Sequence, residues 1–234
     1  MTYWIDTHAH LDAPRFEADL DAVLHRAHEA GVKWIITIGA DLASSRSAVA
    51  LAERYEAVYA TVGVHPHEAR TADRSTLDEL RDLAAYPLVV AVGEIGLDYY
   101  RDLSPRHAQR AAFESQLALA GEASKPVVVH IRDQRDRASA YDDALSILGT
   151  WTSGLSIRPS SHSPILASPG VLHCFSGTPD AAEAALDLGF YLGVDGPVTF
   201  PNARALQAMV IGLPLERLLL ETDCPYLAPQ ARRG

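Results

Sequence analysis

Short apolar runs rich in β-branched residues recur along the chain, separated by stretches with helical spacing. Runs near Tyr3–Asp6, Val32–Ile38, Val58–Val64, Val89–Glu94, Val127–His130, Val171–His173, Tyr191–Val194 and Leu218–Glu221 read as strands. Between them, Asp19–Ala30 is amphipathic and stops at Gly31, a helix-stop residue. Ser104-Pro105 reads as an N-cap followed by proline in the first helical turn. Beyond it Phe113, Gln116, Leu117 and Ala120 share one helix face, a stripe to lay on a sheet. Strand–helix repetition implies a parallel sheet, and about eight repeats imply closure into a (β/α)8 TIM barrel. An open doubly wound sheet is the competing architecture.

Two stretches break the pattern. Residues 149–170 are rich in Ser, Pro and Gly without periodicity, and read as a long loop insertion. Because it joins a helix to the next strand, this loop is expected on the face away from the active rim of a barrel. The second break is terminal: only residues 222–234 follow Glu221, too few for a full helix after the last strand. The expectation is a barrel without its final C-terminal helix, closed by something else or cut short.

The totals fit one domain over residues 1–234, since a barrel of this type takes about 250 residues. No apolar run approaches the ~18 residues of a membrane span, and no basic leader precedes Asp6. Two cysteines, Cys174 and Cys224, lack zinc-type spacing. These features point to a cytoplasmic protein with reduced thiols and no membrane partner. The net charge of −10 argues against an extended basic nucleic-acid surface. It leaves room for DNA ends or a small phosphodiester, because bound divalent cations supply local positive charge. Oligomeric state is not legible.

The chemistry gathers where predicted strands end. In Trp4-Ile5-Asp6-Thr7-His8-Ala9-His10 the two histidines fall on one strand face, roughly 6–7 Å apart by Cα. Other strands end at His65, Glu94, His130, His173 and Asp223. In a barrel these ends share one rim, so His8, His10, Glu94, His130, His173 and Asp223 can surround a common centre. Such an N/O donor set suits Mg²⁺, Mn²⁺ or Zn²⁺, not a soft thiolate site. Six donors exceed what one catalytic zinc needs, and two divalent metal ions sharing a bridging carboxylate is the economical arrangement. A single such histidine or glutamate is ordinarily a packed or salt-bridged side chain. Several at successive strand ends are not. His25, His28, His107 and His162 are assigned to solvent, and both cysteines to small buried hydrophobes. Lys33 and Lys125, the only lysines, precede strands and so sit at the wrong end to supply a carbamylated bridge.

Asp6-Thr7-His8-Ala9-His10-Leu11-Asp12, Gly63-Val64-His65-Pro66-His67, Gly93-Glu94-Ile95-Gly96-Leu97-Asp98-Tyr99-Tyr100, Leu172-His173-Cys174-Phe175-Ser176-Gly177 and Glu221-Thr222-Asp223-Cys224-Pro225-Tyr226-Leu227 together resemble the TatD family of metal-dependent hydrolases, within the amidohydrolase-like barrels. The resemblance implies that His8, His10 and Asp223 hold one metal, His130 and His173 the other, with Glu94 bridging. It implies deoxyribonuclease activity, exonucleolytic from a DNA end. The family ordinarily has a shorter connection before the Leu172-His173 motif and a final helix covering strands eight and one.

The chemistry expected is phosphodiester hydrolysis by a hydroxide activated between two divalent metals, with Asp223 and Glu94 as the catalytic carboxylates. Asp223 is the candidate to orient or deprotonate the water. His65, Arg132 and Asn202 are candidates for substrate binding, Arg132 through its bidentate fork or else paired with Asp133 or Asp98. Asp6 is either an acid orienting an imidazole or a hydrogen-bonded core acid. The same chemistry serves a metal-dependent esterase or an aminoacyl-tRNA deacylase, and a non-catalytic metal-binding barrel is the third reading. No dinucleotide fingerprint, Walker-type loop or G-x-S-x-G elbow is present.

Overall fold

The computed structural model describes residues 3–134, 139–154 and 168–233. Eight strands form one all-parallel sheet in sequential order: β1 (Trp4–Ala9), β2 (Val32–Thr37), β3 (Val58–Val62), β4 (Val89–Asp98), β5 (Val127–Arg132), β6 (Gly170–Leu172), β7 (Tyr191–Val194) and β8 (Leu218–Leu220). Helices connect them in turn: α1 (Leu20–Glu29), α2 (Leu42–Arg54), α3 (Arg74–Ala84), α4 (Arg106–Ala123), α5 (Ser139–Gly154), α6 (Pro179–Asp187) and α7 (Arg204–Gly212). This is the predicted (β/α)8 TIM barrel. Among the described residues, only a short 3-10 turn at Gln230–Arg232 follows β8. No helix is long and apolar enough to cross a membrane.

Helix starts follow local chemistry. Asp41 accepts from the Ser44 amide (2.7 Å), Asp73 from Thr76 (2.9 Å) and Thr178 from Ala181 (3.2 Å), each satisfying an amide that has no helical partner. Gly31 ends α1 with φ of +90°, as its helix-stop reading required. Ser104 does not cap α4. Pro105 occupies that position, and the Ser104 hydroxyl instead donates to the His67 carbonyl at 2.7 Å. The serine therefore braces the loop after β3. The polar residues at the start of the expected 149–170 loop instead continue α5 to Gly154, with the Thr150 and Ser153 hydroxyls satisfied by the Ser146 and Thr150 carbonyls. The rest of that expectation, residues 155–167, lies outside the described residues.

The α4 stripe is buried as predicted, and its polar members hold the sheet. Gln116 accepts from the Val64 amide (2.6 Å) and donates to the Val64 carbonyl (3.0 Å), one residue before His65. Gln109 does the same for Asp98, accepting from its amide at 2.8 Å and donating to its carbonyl at 3.2 Å. Phe113, Leu117 and Ala120 pack around them, and each large apolar side chain so buried contributes about 1.5–3 kcal/mol.

The seam between the last and first strands is closed by the segment after β8. The His10 amide donates to the Cys224 carbonyl (2.8 Å) and the Asp223 amide to the His8 carbonyl (2.9 Å). Asp6 accepts from the Thr222 amide (3.0 Å) and hydroxyl (2.7 Å) as well as from the His8 amide (3.2 Å). Asp6 is thus a hydrogen-bonded core acid that clasps the barrel shut; it does not orient an imidazole. This closure excludes the open sheet.

Strand β4 runs four residues beyond its predicted end, pairing Gly96 with His130 and Asp98 with Arg132. Gly96 sits at φ of +139°, and a Cβ there would overlap the His130 carbonyl. Gly96→Ala should cost at least about 2 kcal/mol through strain and collision. Urea unfolding of the variant beside the wild type measures it.

Candidate metal centre

The predicted rim assembles. His8 lies inside β1 and His10 just beyond it; Glu94 is on β4, His130 on β5, His173 follows β6 and Asp223 follows β8. All point toward Glu94, which is buried. His8 Nε2 is 3.6 Å from Glu94 Oε2 and 3.7 Å from Asp223 Oδ1. His10 Nε2 is 3.3 Å from Asp223 Oδ1 and 4.0 Å from Glu94 Oε2. His173 Nε2 lies 3.9 Å from both Glu94 Oε1 and Asp223 Oδ1. His130 Nδ1 is closer, 2.8 Å from Glu94 Oε1.

Those spacings test whether a cation fits. Two donors held about 2.1 Å from a tetrahedral ion stand roughly 3.4 Å apart. The gaps of 3.3–3.7 Å at His8 and His10 lie close to that figure, and all the gaps but that of His130 exceed a direct hydrogen bond of about 2.9 Å. His8 makes the same point from burial. Its ring is fully buried, yet neither Nδ1 nor Nε2 has a hydrogen-bond partner. An unsatisfied buried polar atom costs about 1–3 kcal/mol, and a cation on Nε2 would remove one such deficit. Three overlapping sets of donor atoms are close enough to share an ion: His8, His173 and Asp223; His8, His10 and Glu94; and His65, Glu94 and His130.

Charge explains why the cluster holds together. Burial would raise the pKa of Glu94, but His65, His130 and His8 around it keep it well below the usual carboxylate range. Burial works against a proton on His173, yet Glu221, Glu94 and Asp223 outweigh it and push its pKa up to about 10. His10 and His130 are raised against burial in the same way, His10 mainly by Asp223 and His130 mainly by Asp98 and Glu94. Without metal, protons supply the positive charge that these carboxylates require.

Two carboxylates that sequence reading passed over stand behind the imidazoles. Asp98, wholly buried, lies 3.2 Å from His130 Nε2 and 2.8 Å from His67 Nε2, while the Tyr100 and Arg101 amides hold its other oxygen. Glu221 lies 3.0 Å from His173 Nδ1, bent away from ideal hydrogen-bond geometry, and accepts from the Cys174 amide at 2.6 Å. In both cases one ring nitrogen meets the outer acid and the other turns toward Glu94. The signal was strand alternation: Glu94, Gly96 and Asp98 share a face of β4, and Glu221 is two residues before Asp223.

His65 differs. Its Nδ1 accepts the His67 amide (3.1 Å), so its neutral form carries hydrogen on Nε2, 3.6 Å from Glu94 Oε1. Burial, with His130 and His67 beside it, holds its pKa well below the ordinary histidine value. His65 thus presents an N–H to the centre. Arg132 pairs with neither Asp98 nor Asp133 among the described residues; its guanidinium stacks 4.4 Å above the Tyr100 ring. Asn202 is exposed on the turn before α7.

Of the histidines assigned to solvent, His25, His28 and His107 are exposed, and His162 lies outside the described residues. Lys33 stacks on Tyr3 and Trp34, and Lys125 donates to the Tyr86 and Val89 carbonyls, both away from the centre. Cys174 and Cys224 are free and half-buried where small buried hydrophobes were expected, and Cys224 packs against the core. Cys174 lies past the end of β6 at φ of +45° and meets Asp195.

Asp195, at the end of β7, is a buried acid with one oxygen unpartnered. Burial and the neighbouring Glu221 push its pKa up to about 7 from 3.8. The folded state therefore holds this proton more tightly than the unfolded chain does. Its contribution to stability is present in acid and is lost as pH rises from about 4 to about 7. Asp195→Asn should leave metal-free protein near wild-type stability at pH 4.5, and raise it by about 2 kcal/mol at pH 8.5. Urea unfolding at the two values checks the sign.

Comparison with known proteins identifies the family. A family profile described as TatD related DNase matches residues 5–234. The chain is 38% identical over 229 residues to an uncharacterized metal-dependent hydrolase, YabD, of Bacillus subtilis, covering 98% of this chain and 83% of that one. It is 40% identical over 227 residues to the 3'-5' ssDNA/RNA exonuclease TatD of Enterobacter lignolyticus, covering 96% and 80%. The crystal structure of YjjV, a TatD homologue from Escherichia coli, superposes with a TM-score of 0.85 at 35% identity, covering 99% of this chain and 83% of that one. With the sequence match spanning nearly the whole barrel, this chain belongs to the TatD family.

Proposed function

We propose that this chain is a metal-dependent nuclease that hydrolyses phosphodiester bonds at the ends of single-stranded nucleic acid. The observation that carries this reading is the ion-shaped gap around buried Glu94, lined by His8, His10, His130, His173 and Asp223. Relatives at about this similarity are named as exonucleases of single-stranded DNA and RNA, which supports the substrate class.

In this reading His8, His10 and Asp223 would hold one divalent ion (Mg²⁺, Mn²⁺ or Zn²⁺), and His130 and His173 would hold a second, with Glu94 serving both. Bound there, such ions supply Lewis acidity, lowering the pKa of water and polarising a phosphoryl oxygen. Asp223 takes the proton of the attacking water. Glu94 remains ionised at the centre. His65 donates Nε2–H to a phosphoryl oxygen, and being neutral it does not compete for the cation charge. Arg132 meets a phosphate further along the strand, and Asn202 is reached only by a substrate extending past β7. Asp98 and Glu221 keep His130 and His173 turned inward throughout.

Purified protein loaded with Mn²⁺ should shorten an end-labelled single-stranded oligonucleotide, and chelation should abolish this. Glu94→Ala and Asp223→Ala should each lower turnover by about 10³-fold, within the range for losing a positioned base or charge. Persistence of metal-dependent turnover in both variants would place the chemistry elsewhere. Activity confined to an ester and lactone panel run in parallel would make the protein an esterase. His65→Gln should weaken turnover by about 10–100-fold, the loss of one hydrogen bond to a charged group, and steady-state kinetics on the same oligonucleotide measures it.

A further inference from the structure

Two aromatic rings stand exposed at the mouth of the barrel, on opposite sides of the metal centre. Tyr100 follows β4 and is 48% exposed; Tyr226 follows the segment that seals β8 to β1 and is 56% exposed. Each is anchored to the site by its backbone: the Tyr100 amide donates to Asp98 at 2.9 Å, and the Tyr226 amide to the Asp223 carbonyl at 2.7 Å. The Tyr226 ring centroid lies 5.4 Å from that of His10, and the Tyr100 ring carries the Arg132 guanidinium at 4.4 Å. Strands β8 and β1 lie across the barrel from β4 and β5, so the two rings flank Glu94. The other exposed large aromatics, Tyr3, Trp4 and Tyr86, sit at the opposite ends of the strands.

Neither Tyr100 nor Tyr226 uses its hydroxyl in a hydrogen bond among the described residues, so internal hydrogen bonding does not account for them. Electrostatics sharpens the point. A chain of net charge −10 gains little from long-range attraction to a polyanion. Affinity for a single strand must then come from local contacts. Stacking of a base on an aromatic ring supplies about 1–3 kcal/mol and is indifferent to sequence. A duplex offers no free base faces, so such rings also discriminate against paired DNA.

We propose that Tyr100, layered with Arg132, and Tyr226 are base-stacking platforms that hold unpaired bases on either side of the scissile phosphate. The proposal rests on the nuclease reading and adds the residues that recognise a single strand.

The test is binding of metal-loaded full-length protein to a cleavage-resistant phosphorothioate hexathymidylate, read by fluorescence anisotropy. The comparison is a hexamer of the same backbone with abasic sites at its two 3′-terminal positions. Wild type should bind the intact strand at least about tenfold more tightly. Tyr100→Ala and Tyr226→Ala should each weaken intact binding by about 5–100-fold, drawing the intact-to-abasic ratio toward one. Phenylalanine at either position should keep the ratio. On a cleavable strand the alanine variants should raise KM more than they lower kcat. A ratio near one in wild type overturns the proposal, as does a ratio that survives both alanine substitutions or is lost with phenylalanine. Tyrosine-dependent binding without cleavage of the ordinary strand would instead leave the platforms standing and defeat the nuclease reading.

Discussion

A carboxylate buried in a barrel mouth cannot stay ionised unless positive charge is brought to it, and Glu94 organises the structure around that requirement. Burying an uncompensated carboxylate costs several kcal/mol. Four imidazoles from four different strands close around Glu94 and keep it ionised. Of these, His130 and His173 hold protons against their burial, which supplies the positive charge that Glu94 requires. The gaps of 3.3–4.0 Å around His8, His10 and His173 are too long for a direct proton bridge, whereas His130 makes one at 2.8 Å.

Holding imidazoles at such distances requires a rigid frame, and the frame is polar. Gln109 and Gln116 tie α4 to the ends of β4 and β3, Asp98 and Glu221 face the outer nitrogens of His130 and His173, and Asp6 clasps Thr222 beside Asp223. The residues that close the barrel seam are neighbours in sequence of the residues that line the centre. Closure and site assembly are therefore one event: an opening between β8 and β1 would carry Asp223 away from His8 and His10. This also explains the concentration of buried acids on one rim of an already acidic chain. Their mutual repulsion is tolerated because the imidazoles, and the cations they suit, sit between them.

How far this was legible in the chain follows from the range of each interaction. Strand positions were readable because β-branched runs at regular intervals have few other ways to be buried. The histidines and carboxylates of the rim were readable because they terminate those runs, and a barrel brings all strand ends together. Ser104 misled because a serine before proline resembles a cap from either side of the sequence, whereas its hydroxyl had a partner in His67 that lies far away along the chain. Asp98 and Glu221 shared strand faces with Glu94 and Asp223, so alternation pointed inward. Their partners, on other strands, could not be named.

What the amino-acid sequence determined by itself was the inventory and the order: about eight strands, amphipathic stretches between them, and a donor set of histidines and carboxylates at strand ends, since local periodicity and residue type act over a few residues. What only the tertiary structure decided was pairing. Which acid backs which imidazole, that Asp6 bolts the seam, and that Arg132 lies on Tyr100 instead of a carboxylate all depend on strand register and side-chain rotamer. Those are set by contacts between residues tens to hundreds of positions apart, to which local sequence is blind.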